Sequence, residues 1–373
     1  MSVLPEHITD LSAALRAALT GDGPAVRAWD PWPADQHPAV VPDDVALVVA
    51  TSGSTTAPRA VMLSAAALRA SAAATDTRLG GPAQWLLTLP AGHIAGLQVL
   101  VRSIIAGSDP VVASPGRFRP DAFAADAARL DGPRRYVSLV PTQLHRLLDD
   151  AGAGLAALAR FDAVLLGGAA ASPALLAGAR AAGVQVTTTY GMSETCGGCV
   201  YDGTPLDGVR VRLDEHGRVL IAGAVLATGY LGRPDLDAGA FQDQDGTRWL
   251  RTSDVGELGG RLAIRGRADD VVVTGGAKVA PAAVEALVAQ LPGIAEVCVV
   301  GVPDAEWGQA VIAVVVLAPG AAAPTLATVR AQVTRSLAPP AAPRHLVVID
   351  RLPVRGPGKT DRRAVAELAA RLT

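Results

Sequence analysis

The sequence predicts an α/β protein with a large N-terminal wound α/β domain, a small β subdomain and a smaller C-terminal α+β domain. Three observations carry this. Between residues 45 and 190, apolar runs of strand length alternate with Ala- and Leu-rich stretches of helical length, the pattern of a wound sheet. From about Val209 the pattern changes to short strands separated by glycine turns. After Arg265-Gly266-Arg267-Ala268-Asp269-Asp270 a second α/β unit of roughly 100 residues begins, enough for a small separate domain. A chain of 373 residues is long enough for two domains.

In chain order, Ile8 to Leu19 reads as a short amphipathic helix, and the Pro-rich stretch after it carries Trp29 and Trp32 as packing residues. Val45 to Ala50 is an unbroken apolar run and reads as a buried strand. Ser64 to Ala74 reads as a helix, so Thr51 to Arg59 is expected to be a strand-to-helix loop. Gln84 to Pro90 is a strand, followed by the turn Ala91 to Gly96 and an apolar helix to Ala106. Strands Val111–Ala113, Tyr136–Val140, Phe161–Leu166 and Gln185–Thr189 interleave with helices Asp121–Leu130, Pro141–Asp150 and Ala174–Ala182, with Gly152 as a helix stop. The β subdomain holds Val209–Leu213, Arg218–Ile221, Trp249–Arg251 and Arg261–Arg265. The last unit holds helices Pro281–Gln290, Leu326–Leu337 and Arg362–Leu372 and strands Glu296–Val300, Val311–Leu317 and Leu346–Ile349.

Half of the residues are hydrophobic, 18% are charged and the net charge is −2, which leaves no basic field for nucleic acid or an anionic membrane. No apolar run reaches the ~18 residues of a membrane span. Met1 to Asp10 carries Glu6 and Asp10 and no apolar signal core, so the cytoplasm is the expected compartment. Cys196, Cys199 and Cys298 are too few for a disulfide framework. Cys196-Gly-Gly-Cys199 has C-x-x-C spacing but no second ligand pair, so packing is preferred to a zinc or redox role.

Thr51-Ser52-Gly53-Ser54-Thr55-Thr56-Ala57-Pro58-Arg59 combines five hydroxyl side chains, a glycine, a proline and a cation. Such a loop offers N–H groups, hydroxyls and positive charge to a phosphate; a solvated Ser/Thr loop is the rival reading. The stretch resembles the phosphate-gripping loop of adenylate-forming enzymes, the superfamily of acyl-CoA synthetases, luciferases and peptide-synthetase adenylation domains. Their pattern, T-S-G-[ST]-T-G-x-P-K-G, is kept at Thr51, Ser52, Gly53, Ser54, Thr55 and Pro58, with Thr56, Arg59 and Ala60 as departures. The resemblance runs from about residue 45 to the C-terminus, and the part before it is shorter than usual in the family.

Further motifs follow in the family's order. Tyr190-Gly191-Met192-Ser193-Glu194 is similar to Y-G-x-[ST]-E. The likeness implies Tyr190 stacked on adenine, Gly191 and Ser193 among the ATP contacts, Gly191 also beside the acyl substrate, and Glu194 holding Mg2+ on the phosphates. A nucleophile elbow around Ser193 fails at Thr195, where glycine is needed. Gly167-Gly168-Ala169 resembles the adenine-flanking loop, and Thr252-Ser253-Asp254 the segment whose Asp takes the ribose hydroxyls; a turn Asp is the rival there. Gly266-Arg267-Ala268-Asp269 resembles the G-R-x-D hinge, implying a ribose contact for Arg267 and a pivot at Asp269. Pro353 to Lys359 resembles P-x-x-x-x-G-K, whose Lys aligns the carboxylate and the α-phosphate, so Lys359 is the implied catalytic lysine. A Walker A loop is excluded because Pro353 stands where its first glycine belongs. His93, in Gly92-His93-Ile94-Ala95-Gly96, is implied to shield and serve the acyl site, with a packed core histidine as rival; Gly275, Gly276 and Lys278 are implied to meet CoA. The implied division is an ATP- and acyl-binding domain over 1–268, a hinge at 269–270 and a mobile lid over 271–373.

Within the family, three features look like the o-succinylbenzoate–CoA ligase branch of menaquinone synthesis: the short N-terminus, Leu89 to Leu97 running into Val101-Arg102-Ser103, and Asp269 to Val279 with its Gly-Gly-Ala-Lys turn. There the position of Arg102 meets the second carboxylate of a dicarboxylic acid; pairing with an internal Asp or Glu is the rival. The implied reaction has two steps: ATP and the acid give an acyl-adenylate and pyrophosphate, then the CoA thiol displaces AMP. Another acyl-CoA synthetase, an adenylation domain that loads a carrier protein, a non-catalytic ATP-binding homologue and a homodimer are left open by the sequence.

Overall fold

The structure is a computed structural model that describes residues 5–28, 41–51, 59–355 and 359–373. The chain divides into two compact units, Met1–Arg212 with Leu220–Arg251, and Leu213–Val219 with Thr252–Thr373.

The first unit is built on a seven-stranded sheet in the order Thr204–Pro205, Gly197–Tyr201, Val186–Met192, Ala163–Leu166, Arg135–Leu139, Gln84–Leu87, Val111–Val112. The five strands from Val186–Met192 to Val111–Val112 are parallel, and the other two are antiparallel additions. Helices such as Ile94–Ala106 and Pro173–Ala181 connect the parallel strands. Strands covered on both faces read as unbroken apolar runs, and Trp85-Leu86-Leu87 and Val164-Leu165-Leu166 are accordingly buried throughout. Leu144, Leu147 and Leu158 pack on Leu86, Val137, Leu139 and Val164 to form one core. The expected wound α/β arrangement is therefore present.

A four-stranded sheet stands beside it in the order Val26–Arg27, Val45–Thr51, Arg59–Ser64, Gly229–Tyr230. It corrects one expectation. The segment after Thr51 does not lead into a helix: Arg59–Ser64 is a strand that folds back antiparallel on Val45–Thr51, with Thr51 opposite Arg59. Residues 60 to 63, Ala-Val-Met-Leu, are all buried, so they gain more as a paired strand than as an added turn of helix. The helix begins only at Ala65, where the Ser64 hydroxyl accepts from the Ala67 N–H at 3.1 Å, and ends at Gly80 with φ 91°. Gly152 is likewise not a stop: Ala151 ends one helix and Gly152 caps the start of the next.

A second correction lies at Tyr190, where the strand continues to Met192 instead of ending at Thr189. Its pairing with Gly197–Tyr201 shifts register between Tyr190 and Gly191. Gly191 allows this. A Cβ there would collide with the Gly197 carbonyl oxygen and lie 2.7 Å from Gly198 Cα.

The second unit has its own sheet, in the order Ala277–Val279, Val272–Thr274, Gly308–Leu317, Ile294–Asp304, with His345–Val348 parallel to Gly308–Leu317. Alternate residues of the long hairpin serve opposite faces. Val299, Val311, Ala313 and Val315 meet helices Pro281–Val288 and Leu326–Thr334 through Val284, Val288, Val329 and Val333. Cys298, Val300, Ile312 and Val314 meet helix Arg362–Leu372 through Val365 and Ala369. Among the described residues no helix is long and apolar enough to cross a membrane.

Gly191→Ala should lower the stability of the unliganded protein by roughly 1–3 kcal/mol, because neither strand can move away without losing its pairing. Thermal denaturation followed by circular dichroism measures this, and an unchanged midpoint would contradict the close approach.

Candidate functional site

In the first unit the phosphate-loop candidates begin with Thr51 and Arg59, which face each other across the hairpin, the Thr51 hydroxyl donating to the Arg59 carbonyl at 3.4 Å. Ser52, Gly53, Ser54 and Thr55 lie outside the described residues. Strand Arg59–Ser64 pairs with Gly229–Tyr230, Val61 opposite Tyr230. The Arg59 guanidinium lies 5.8 Å from the Tyr230 ring centroid.

Glu194 occupies the short 3-10 turn Ser193–Thr195, which the Thr195 hydroxyl closes by accepting from the Met192 N–H at 2.9 Å. The Tyr230 hydroxyl donates to Glu194 Oε1 at 2.8 Å, and the Glu194 carbonyl accepts from the Ala227 N–H at 2.9 Å. Burial, with the Glu194 charge adding to it, pushes the Tyr230 phenol well above its ordinary value, so it remains a donor. Arg59, Tyr230 and Glu194 are thus brought together from three separate stretches of chain. Sequence reasoning missed Tyr230, whose role rests on a pairing with residues some 170 positions earlier and leaves no local signal.

Gly167 and Gly168 follow strand Ala163–Leu166, which neighbours the Tyr190 strand. A Cβ on Gly167 would collide with Thr189 Oγ1, and Gly168 has φ 83°. The backbone there can approach a flat ligand closely, with exposed Ala169 next to it. Ser193 is buried in a strand–turn–strand setting, not on a strand-to-helix elbow. His93 is the N-cap of helix Ile94–Ala106 and is half-buried. That helix is tied to the Glu194 turn, since Gln98 Nε2 donates to the Cys196 carbonyl at 2.6 Å.

Arg102, two turns further along, is 4% exposed. Its guanidinium lies over the Trp85 ring at 5.1 Å and reaches the Tyr201 hydroxyl at 3.5 Å. Its Nε has no partner, and the same holds for Trp85 Nε1, Gln98 Oε1 and the Ser103 hydroxyl. The acid that interacts with it is half-buried Asp76, whose carboxyl is raised by burial and drawn down by Arg102 and Arg134, yet no ion pair joins Arg102 to it. The expected rival, an internal carboxylate paired with Arg102, is absent among the described residues.

In the second unit, Asp254 is not in a turn but in strand Thr247–Leu258, directly opposite Arg267. The two residues implied to meet ribose therefore face each other, and Arg267 also approaches Asp269 at 3.7 Å. Gly275 and Gly276 form the turn between Val272–Thr274 and Ala277–Val279, with exposed Lys278 opposite Val273. A Cβ on Gly275 would lie 2.6 Å from the Trp307 ring, on which the Arg344 guanidinium stacks at 3.8 Å. The backbone of Lys359 pairs in the hairpin Val354–Arg355 with Lys359–Thr360, so the segment is a hairpin and not a strand–loop–helix phosphate loop. Cys196, Cys199 and Cys298 are free and buried; burial pushes Cys199 and Cys298 up to about 12.

Residues 4–231 match the family of AMP-binding enzymes and residues 283–359 match the AMP-binding enzyme C-terminal domain. The chain belongs to this adenylate-forming family and is an acid–thiol ligase, an acyl-CoA ligase that uses ATP and CoA. Among its relatives, the probable 2-succinylbenzoate–CoA ligase of Mycobacterium tuberculosis is 47% identical over 369 residues, covering 95% of this chain and 94% of that one. ATP-bound MatB from Rhodopseudomonas palustris superposes with a TM-score of 0.77 at 28% identity, over 88% of this chain and 69% of that one. The o-succinylbenzoate CoA synthetase of Bacillus subtilis, in complex with its acyl-adenylate intermediate, gives 0.72 at 28% identity over 86% and 69%.

Tyr230→Phe removes only the hydroxyl that holds Glu194. A hydrogen bond to a charged group contributes about 1.5–3 kcal/mol, so the apparent KM for ATP should rise about tenfold or more. An ATP titration at fixed acid and CoA checks this, and an unchanged KM would separate Tyr230 from nucleotide binding.

Proposed function

We propose that this ligase activates o-succinylbenzoate as its acyl-adenylate and transfers the acyl group to CoA, the reaction that menaquinone synthesis needs. The observation that carries the choice of acid is Arg102: a guanidinium buried among Trp85 and Tyr201 with an unpaired Nε and, among the described residues, no ion pair to a carboxylate. A cation–π contact returns about 0.5–2 kcal/mol, less than the several kcal/mol that desolvation of a charge costs. A second carboxylate on the substrate would supply the missing anion. The likeness to the Mycobacterium tuberculosis and Bacillus subtilis proteins supports the same acid.

In this reading Thr51 to Thr55 and Arg59 grip the phosphates, Gly167, Gly168, Ala169 and Tyr190 frame the adenine, and Asp254 with Arg267 takes the ribose. The donor set fits Mg2+: one carboxylate, Glu194, oriented by Tyr230, beside a phosphate-binding hairpin. Glu194 would hold the ion, with phosphate oxygens and water as its other ligands. When bound, the ion would offset negative charge on the phosphates. Lys359 is assigned to the first step, where a flexible ammonium can follow charge developing between the acid and the α-phosphate. His93 and Gly191 border the acyl group.

The reading divides the chain into 1–268, a hinge at 269–270 and a lid over 271–373. Rotation at Asp269 would exchange Lys359 for the Gly275–Gly276 turn, with Lys278 drawn to the phosphates of CoA. The proposed compartment is the cytoplasm.

Arg102→Ala should lower kcat/KM for o-succinylbenzoate by at least about a hundredfold, because the second carboxylate loses its buried partner. The loss with a monocarboxylic aryl acid should be small. Steady-state assays on both acids decide, and a parallel loss would make Arg102 structural. Lys359→Ala should abolish pyrophosphate release yet leave thioester formation from supplied acyl-adenylate intact; equal loss of both half-reactions would remove Lys359 from its role.

A further inference from the structure

Arg362 is the most heavily engaged cation of the second unit. It sits in the first turn of helix Arg362–Leu372, three residues after Lys359. Its Nη2 meets Glu285 Oε1 at 2.8 Å and Oε2 at 2.9 Å. Its Nη1 donates to the Val299 carbonyl at 2.9 Å and lies 3.7 Å from Cys298 Sγ. Its Nε faces Asp270 Oδ2 at 3.4 Å. Glu285 is itself fixed, because its Oε1 accepts from the Val299 N–H at 2.7 Å. One guanidinium therefore joins helix Pro281–Val288, strand Ile294–Asp304, the start of the last helix and the turn Ala268–Asp270.

We propose that Arg362 is a positioning residue for Lys359, the clamp that makes the lysine hairpin turn as one body with the segment beside Asp269. The inference rests on the reading of Lys359 and Asp269 given above. A rotation at Asp269 reaches Lys359 without loss only if nothing between them yields. The covalent path is 90 residues long, but the Asp270–Arg362 contact shortens it to a single ion pair. Between Lys359 and Arg362, the Asp361 side chain caps the last helix by accepting from the Ala364 N–H at 3.2 Å, and its own N–H donates to the Pro353 carbonyl at 2.8 Å. The hairpin is thus anchored to the helix that Arg362 pins. Arginine is required because a planar fork can serve Glu285, Val299 and Asp270 at once, whereas an ammonium cannot.

The test compares half-reactions in the full-length protein. Adenylation is read as pyrophosphate release with the acid that wild type prefers among o-succinylbenzoate and simple aryl acids. Thioester formation is read from supplied acyl-adenylate and CoA. Asp270→Asn cuts the hinge contact alone, and Arg362→Lys keeps the charge but loses the fork. Each should lower the adenylation rate by about a hundredfold, as misplacement of a reacting group does, with thioester formation nearly unchanged; the melting temperature should hold in Asp270→Asn and fall in Arg362→Lys, which also loses bonds to Val299 and Glu285. Equal loss of both half-reactions, or no loss in either, overturns the clamp. Lys359→Ala is the reference. If it splits the half-reactions and the clamp variants do not, the clamp alone fails; if it shows no split, the role of Lys359 falls and the clamp with it.

Discussion

The first unit depends on the segment from Ala227 to Leu231. On one side it is bonded to strand Arg59–Ser64, Thr228 N–H to the Met62 carbonyl and Leu231 N–H to the Ala60 carbonyl. On the other side Ala227 and Tyr230 hold the backbone and the carboxylate of Glu194. Two sheets that share no strand are therefore fixed to each other through this segment and the turn that carries Glu194. Rigid placement matters here because anionic ligands are recognised by donors and charges that are already in position.

The helix Ile94–Ala106 plays a comparable part elsewhere in the first unit. It begins at His93, is tied to the Glu194 turn through Gln98, and carries Arg102 into the interior. Gly96 lets the helix lie against the Pro90 carbonyl. A buried guanidinium with an unpaired Nε is a cost to the empty protein. Such a cost is tolerated where a ligand removes it, and under the function proposed above the second carboxylate of the acid would do so.

Much of this was legible in the sequence because the relevant signals are local. Unbroken apolar runs identified the parallel strands. What was not legible depends on pairing between distant segments. Arg59–Ser64 looks like a lead-in to the Ala-rich helix until Val45–Thr51 is available as a partner. The Tyr190 strand runs on to Met192 because Gly197 packs against Gly191. Asp254 and Arg267 each resemble a known motif, but their position across a ladder is visible only once Thr247–Leu258 is seen to be a twelve-residue strand. Tyr230 carried no motif of its own, and the fork of Arg362 joins four segments that no spacing rule connects.

The burial of Cys196, Cys199 and Cys298 bears on the fidelity of the chemistry. An acyl-adenylate is a mixed anhydride that reacts with any thiolate it meets, and an accessible cysteine near it would be acylated in competition with CoA. Free CoA would also exchange into a mixed disulfide with an exposed thiol. All three thiols of this chain are closed off from solvent and held protonated by their surroundings. The enzyme therefore presents no sulfur nucleophile of its own, and the only thiol that can end the reaction is the one the substrate brings.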